Sequence, residues 1–450
     1  GGCAMSQTIE GFVGTSIDDA KLTPIHYRVF ALISAGYFFD IANLVIFGAL
    51  VPNIIHSGFA TPAEIATVGS ATLFGLFVGT VGQGEFTDRF GRKAVYQFNL
   101  LLFGVATIAS AFAPNYVWLA VLRFIAGIGL GAEQPLCFAY AGEYAPKRIR
   151  GRILAGIQLI GGAFSWPLST LFALLFLDTL GWRGIYVVLG VCALVVFVLR
   201  FSLPESPRWL ATHGRGKEAL DLLHRMGIAG PAPGQELRQD AASNSRSDPM
   251  AVIFRTYRGR VIAGMFCFVA FFGVAIGLGT WLPNMMAARG MTITKSLTYT
   301  VGMTLAFPCA SAFMMFALER FGRKPVSMVS FVMAGIFAVV FVNTSTDMAL
   351  LAAGFCMIFF TQLAGNSMQI LASEVFPTNA RASGFGIAAG TGRLGTAFII
   401  PGILWIQNGW GVGAVFAFVA AMLVIAAGTV PLLGPEPRGL ALDLVAPPTG

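Results

Sequence analysis

Twelve apolar runs, the first beginning near Arg28 and the last ending near Leu433, dominate this chain. Each is about as long as the roughly 20 residues a helix needs to cross a bilayer. The runs cover 28 to 51, 65 to 86, 94 to 113, 116 to 143, 152 to 177 and 184 to 203, then 261 to 288, 297 to 318, 325 to 344, 348 to 375, 382 to 405 and 410 to 434. With 56% hydrophobic and 11% charged residues and a mean hydropathy of +0.75, the chain has more apolar surface than one globular core could bury. Strands of a membrane barrel alternate in polarity, and these runs do not. The expected fold class is therefore an all-α membrane protein of twelve transmembrane helices.

The net charge of +8 sits in short loops rather than along one face, which argues against a nucleic-acid partner. One set of loops holds eleven positive charges, on Arg89, Arg92, Lys93, Lys147, Arg148, Arg150, Arg152, Arg320, Arg323, Lys324 and Arg381. The alternate loops hold three, on Arg183, Arg289 and Lys295. The positive-inside rule puts the first set, and with it both termini, in the cytoplasm. Cys137, Cys192, Cys267, Cys309 and Cys356 lie within apolar runs, and all four histidines fall in loops or at span ends. Neither a disulfide framework nor a metal site is expected. The polar stretch from Met5 to Tyr27 and the length of the first run argue against a cleavable signal.

An internal repeat gives the organisation. Asp88-Arg89-Phe90-Gly91-Arg92-Lys93 returns as Glu319-Arg320-Phe321-Gly322-Arg323-Lys324, 231 residues later. Glu143-x-x-Pro146-x-x-x-Arg150 returns as Glu374-x-x-Pro377-x-x-x-Arg381, and Pro204-Glu205 as Pro435-Glu436, at the same offset. Three matches in one register point to two similar halves. The expected organisation is a cytoplasmic tail at 1–27, a six-helix bundle at 28–203, a polar cytoplasmic linker at 204–260 with a short helix from Gly216 to Arg225, a second bundle at 261–434 and a tail at 435–450.

The loop Gly84-x-x-x-Asp88-Arg89-x-Gly91-Arg92-Lys93 resembles the signature of the major facilitator superfamily. Arg123-Phe-x-x-Gly127-x-Gly129-x-Gly131, the Glu143 and Glu374 motifs and Pro204-Glu205-Ser206-Pro207-Arg208 extend the resemblance over nearly the whole chain. It implies two pseudo-symmetric six-helix bundles around a midplane site that rock against each other. It also assigns Gly84, Asp88, Arg89, Gly91, Arg92, Glu143, Arg150, Glu205 and Arg208 to a cytoplasmic gate in the first half, and Glu319, Arg320, Arg323, Glu374 and Arg381 to its counterpart. Their charges are expected to pair across the bundle interface.

Four charges lie deep in spans, where they cost several kcal/mol and mark a pathway: Asp40, Arg123, Glu133 and Arg393. Asp40 and Arg123 resemble the acid and arginine that couple protons in sugar porters and phosphate symporters of this superfamily. Glu133 is a second proton candidate, beside Pro135, which can break its helix and expose carbonyls.

The seventh span, Gly277-Leu-Gly279-Thr280-Trp281-Leu282-Pro283-Asn284, lacks the paired-glutamine set of sugar porters, although Gln158 in the fifth span is a sugar-porter feature. The eleventh, Arg381-Ala-Ser383-Gly384-x-Gly386-x-x-x-Gly390-x-Gly392-Arg393, is similar to the aromatic-acid and organic-anion branches. Arg393 stands about twelve residues into its helix, roughly 18 Å deep, and a guanidinium there offers a planar fork for a carboxylate. Candidate substrate residues are Arg393, Asn43, Gln134, Tyr140, Gln158, Trp281, Asn284, Gln362 and Asn366, with Phe271 and Phe272 as further stacking surface. Aromatic-acid symporters carry two aspartates in the first span, whereas here Asp40 is followed by neutral Asn43.

The leading expectation is a proton-coupled symporter of a small organic anion, a monomer in a bacterial inner membrane with no cofactor. A sugar or polyol porter, a phosphate porter and a non-transporting sensor remain the alternatives. No nucleophile, base and orienting group can be assembled into an enzyme site.

Overall fold

The computed structural model describes residues 8–231, 257–288, 290–344, 346–375 and 381–433, without the side chains of 83–89, 132, 288, 315, 318, 319, 373, 374 and 381–385. The distal linker, Arg289 and the Pro435-Glu436 repeat lie outside these residues, as do the side chains of Asp88, Arg89, Glu319, Glu374 and Arg381.

Helix α1 (Ile9–Asp18) precedes the first bundle, formed by α2 (Pro24–His56), α3 (Pro62–Phe90), α4 (Arg92–Ala111), α5 (Tyr116–Tyr144), α6 (Arg150–Ile157) and α7 (Ser165–Arg200). Helices α8 (Pro207–Thr212) and α9 (Gly216–Arg225) follow. The second bundle is formed by α10 (Arg258–Phe272), α11 (Gly279–Ala288), α12 (Ile293–Thr304), α13 (Ala306–Phe321), α14 (Arg323–Asn343), α15 (Asp347–Glu374) and α16 (Arg381–Thr429). Among the described residues, ten segments are long and apolar enough to cross a membrane. Two of them, Arg150–Arg200 and Gly386–Leu433, are 51 and 48 residues long and reverse at Gly181 and Gly411, so each is two crossings and the total is twelve.

The repeat is visible in the backbone. Gly91 (φ 93°) and Gly322 (φ 87°) adopt the same left-handed conformation between consecutive spans, and Gly181 (φ 62°) and Gly411 (φ 81°) make the matching reversals later in each half. A side chain would strain all four turns. Between Gln158 and Ala163, and again between Gly273 and Leu278, a π-helical turn widens the span; such turns occur often at functional sites.

Small residues set the closest packing. An added Cβ at Gly75, Gly79, Gly127 or Gly131 would come within 2.1–2.2 Å of a carbonyl oxygen of the facing helix, so α3 and α5 meet backbone against backbone. The outward faces carry exposed Val191, Val195, Val198 and Leu199 in the first half and Val329, Val332, Ile336 and Val339 in the second, as a lipid-facing surface requires.

Between the bundles, Ser70 donates to Ala397 O (2.6 Å), Phe74 packs edge-on against Phe398 and Trp166 stacks on Phe307 with centroids 4.1 Å apart.

Candidate functional site

Where α2, α5 and the Gln158 turn face α10, α15 and α16, a cavity opens between the bundles. Its charged lining residues are Asp40 and Arg393; its amides are Gln134, Gln158, Gln362 and Gln369, and its aromatic walls include Trp166, Phe271 and Phe272. A charged pair with amides in an otherwise apolar chamber suits an amphiphilic small molecule. A second, largely apolar cavity adjoins it and shares Leu44, Trp166, Ala275 and Ile276.

Arg393 is 6% exposed and reaches across to the first bundle. Its Nη1 donates to Thr80 Oγ1 (2.5 Å) and Gly131 O (3.3 Å), and its Nη2 to Gln134 Oε1 (2.6 Å). Gly131 O is available because Pro135, four residues on, has no N–H to offer it. The helix nevertheless runs unbroken from Tyr116 to Tyr144, so Pro135 exposes a carbonyl without breaking the span. The guanidinium also lies 5.6 Å from the Phe272 ring.

A guanidinium can only donate, and this fixes the polarity of the neighbouring amides. Gln134 must turn Oε1 to Arg393, so its Nε2 donates to Tyr37 Oη (3.1 Å), whose own hydrogen goes to Gln158 Oε1 (3.1 Å). Gln362 Nε2 donates to Asn366 Oδ1 (2.8 Å), and Asn366 donates to Ser311 Oγ (3.1 Å), which orients the far wall. Neither Asp40 nor Arg393 forms an ion pair among the described residues.

Several expected partners are elsewhere. Arg123 does not pair with Asp40: it donates to Asn43 Oδ1 (2.5 Å) and Asn43 O (3.3 Å), and its guanidinium lies 5.4 Å from the Tyr186 ring. Asn43, which also donates to Thr107 Oγ1, is thus committed inside the first bundle instead of lining the cavity. Glu133 is fully buried against Arg200 (2.7 Å), and Arg200 stacks 3.8 Å from the Tyr96 ring centroid. Arg200 fills the space beside Gly36, where a Cβ would fall 1.5 Å from Nη2. Tyr140 donates to Pro204 O near the connector, remote from the cavity lining. Trp281 is wholly buried and donates to Ile400 O (3.0 Å), while Asn284 lines neither cavity.

At the basic end, several of the described gate residues form ion pairs within the first half. Arg92 meets Glu143 at 3.4 Å, and Asp18 of α1 accepts from both Arg150 (2.5 Å) and Arg208 (2.6 Å). Glu205 accepts from the backbone N–H groups of Arg92, Lys93 and Ser206 beside the Gly91 turn. Burial raises the Glu205 carboxyl above its usual range, and these N–H groups offset that only in part. In the second half, Arg320 lies 5.8 Å from the Phe316 ring, and Arg323 O accepts from Ser327 and Ser367. Gly84 lies in the stretch of α3 whose side chains are not described.

The sequence reading missed Arg200, Asp18, Tyr37 and Gln369. Arg200 carried the clearest signal, as a charge closing an apolar run.

Comparison with known proteins agrees with this architecture. Residues 43–447 match the sugar (and other) transporter family. The niacin transporter NiaP of Acinetobacter baylyi is 28% identical over 95% of this chain and 98% of its own. The 4-hydroxybenzoate transporter PcaK of Pseudomonas aeruginosa is 28% identical over 93% of this chain and 94% of its own. Among solved structures, the xylose transporter XylE from E. coli, in a partially occluded inward-open conformation, superposes with a TM-score of 0.76 at 19% identity, covering 93% of this chain and all of that one. The chain is thus a member of the sugar (and other) transporter family, a membrane transporter of the major facilitator fold and not an enzyme.

Proposed function

We propose that this transporter is a proton-coupled symporter of a small organic anion, an aromatic or aliphatic carboxylate, working by alternating access. The observation that carries the reading is Arg393: a buried guanidinium lining the central cavity, held by three neutral acceptors and no carboxylate. A substrate carboxylate would supply the missing charge and a bidentate geometry. Phe271, Phe272 and Trp166 would then face its apolar part. Relatives named for niacin and 4-hydroxybenzoate transport support an acid of this kind.

Asp40 is the proton site in this reading, because it shares the cavity with Arg393 and has no ion-pair partner. Glu133 ranks behind it, being already committed to Arg200. Four glutamines on the cavity wall favour a second reading, a sugar or polyol porter, since amides suit hydroxyl-rich ligands. The basic end would face the cytoplasm of a bacterial cell.

The test is uptake of labelled niacin, 4-hydroxybenzoate and xylose into proteoliposomes under an imposed inward proton gradient. The reading expects gradient-driven accumulation of a carboxylate and none of xylose. Accumulation of xylose alone overturns it.

A further inference from the structure

Among the described residues, Ser70 and Arg393 each reach from one bundle to a carbonyl of the other that a proline has released. Pro401 leaves Ala397 O of the second bundle without its helical donor, and Ser70 of the first bundle donates to it (2.6 Å). Pro135 leaves Gly131 O of the first bundle open, and Arg393 of the second donates to it (3.3 Å). The two differ in what can displace them. A neutral hydroxyl on a carbonyl has no stronger competitor in the cavity, whereas a guanidinium held by neutral oxygens is drawn to a carboxylate.

We propose that Arg393 is the substrate-sensitive tie between the two bundles: with the cavity empty it is moored to Thr80, Gly131 and Gln134, and a bound carboxylate draws it off that mooring, freeing the bundles to rock. This rests on the anion reading given above. The mooring is rigid because α3 and α5 are locked by Gly75, Gly79, Gly127 and Gly131. The single hydroxyl hydrogen of Thr80 is shared between Leu76 O and Gly131 O, each at 2.7 Å, so its oxygen presents a lone pair to Arg393. Thr80 does not line the central cavity, which makes it a positioning residue rather than a ligand contact. The tie gives symport a lock. Protonation of Asp40 alone leaves Arg393 moored, so a proton does not cross without an anion.

The test uses full-length protein in proteoliposomes, with Thr80→Val removing the acceptor and Thr80→Ser keeping it. Substrate-free proton flux under a pH gradient should rise roughly tenfold in Thr80→Val, as expected for loss of a hydrogen bond to a charged group. Thr80→Ser should return it to the wild-type level, and niacin affinity should be unchanged or tighter in both. If Thr80→Val does not fold, Thr80→Ala is read in the same way. Wild-type flux in the valine or alanine variant overturns the tie, as does a loss of niacin affinity, which would make Thr80 a ligand contact. Failure of the anion reading shows separately, as niacin affinity unaffected by Arg393→Ala.

Discussion

The two bundles share a backbone plan but not a charge plan. Among the described residues, the first bundle buries Asp40, Arg123, Glu133 and Arg200, and the second buries Arg393 alone. Within the first, Glu133 and Arg200 neutralise each other and Arg123 is held by Asn43 and an aromatic face. Only Asp40 is left facing the cavity without a partner charge. Duplication supplied two similar frames, and the separation of charge between them gives one half a titratable acid and the other a fixed cation. The proposed symport of an anion with protons would use both, one on each side of the interface between the bundles.

The largest effect should come from disturbing the compensated pair. Arg200→Met strands the Glu133 carboxylate, and breaking a buried pair costs about 3–5 kcal/mol. Unfolding of the detergent-solubilised variant should show that loss, and Arg200→Met combined with Glu133→Gln should recover most of it. Full stability in the single variant would mean that the first bundle tolerates free charge, and the contrast between the halves would lapse.

Next comes the lone cation. Arg393→Ala should weaken carboxylate binding by about a hundredfold, since a desolvated charge-assisted contact is worth about 2–5 kcal/mol. Arg393→Lys should recover only part of it, because an ammonium lacks the planar fork. Isothermal titration with niacin and 4-hydroxybenzoate distinguishes the two variants. Asp40→Asn should keep niacin counterflow within a few-fold of wild type yet lose accumulation driven by pH. If accumulation persists, the proton site moves to Glu133 and the two halves divide their work differently.

The smallest effect belongs to Glu205. Its folded-state pKa is raised by burial, so the stability it contributes is greatest in acid and falls as pH rises through that pKa. Glu205→Gln should therefore flatten the fall in stability between the ordinary carboxylate range and the raised folded-state pKa, while changing transport rate less than about twofold, because an uncharged amide keeps an acceptor for the N–H groups of the Gly91 turn.

How much of this was legible follows from what sequence records about a membrane helix. Depth was readable for charge: Asp40 and Arg393 were picked as charges inside apolar runs, Gln134, Gln158 and Gln362 were named as candidate substrate residues, and all five line the cavity. The face of the helix was not readable, because spans apolar on every side give no stripe to orient them. Asn43, three residues from Asp40, therefore turned out to serve Arg123, and Tyr140 and Trp281 pack into their own bundle. Pairings between distant spans were hidden too. Glu133 and Arg200 are 67 residues apart, and Asp18 is 190 from Arg208, with no motif joining either pair. Of the fold, the repeat at 231 residues foretold the matching turns at Gly91 and Gly322, because only glycine enters that conformation freely.

The central claim, an anion held by Arg393, is tested most directly by the thermal stability of purified wild type and Arg393→Ala with niacin, 4-hydroxybenzoate and xylose, since a ligand that binds the folded state raises its melting temperature. The account predicts that a carboxylate stabilises the wild type, that xylose does not, and that Arg393→Ala responds to neither. Stabilisation of Arg393→Ala by the carboxylate to the same degree as wild type would contradict it.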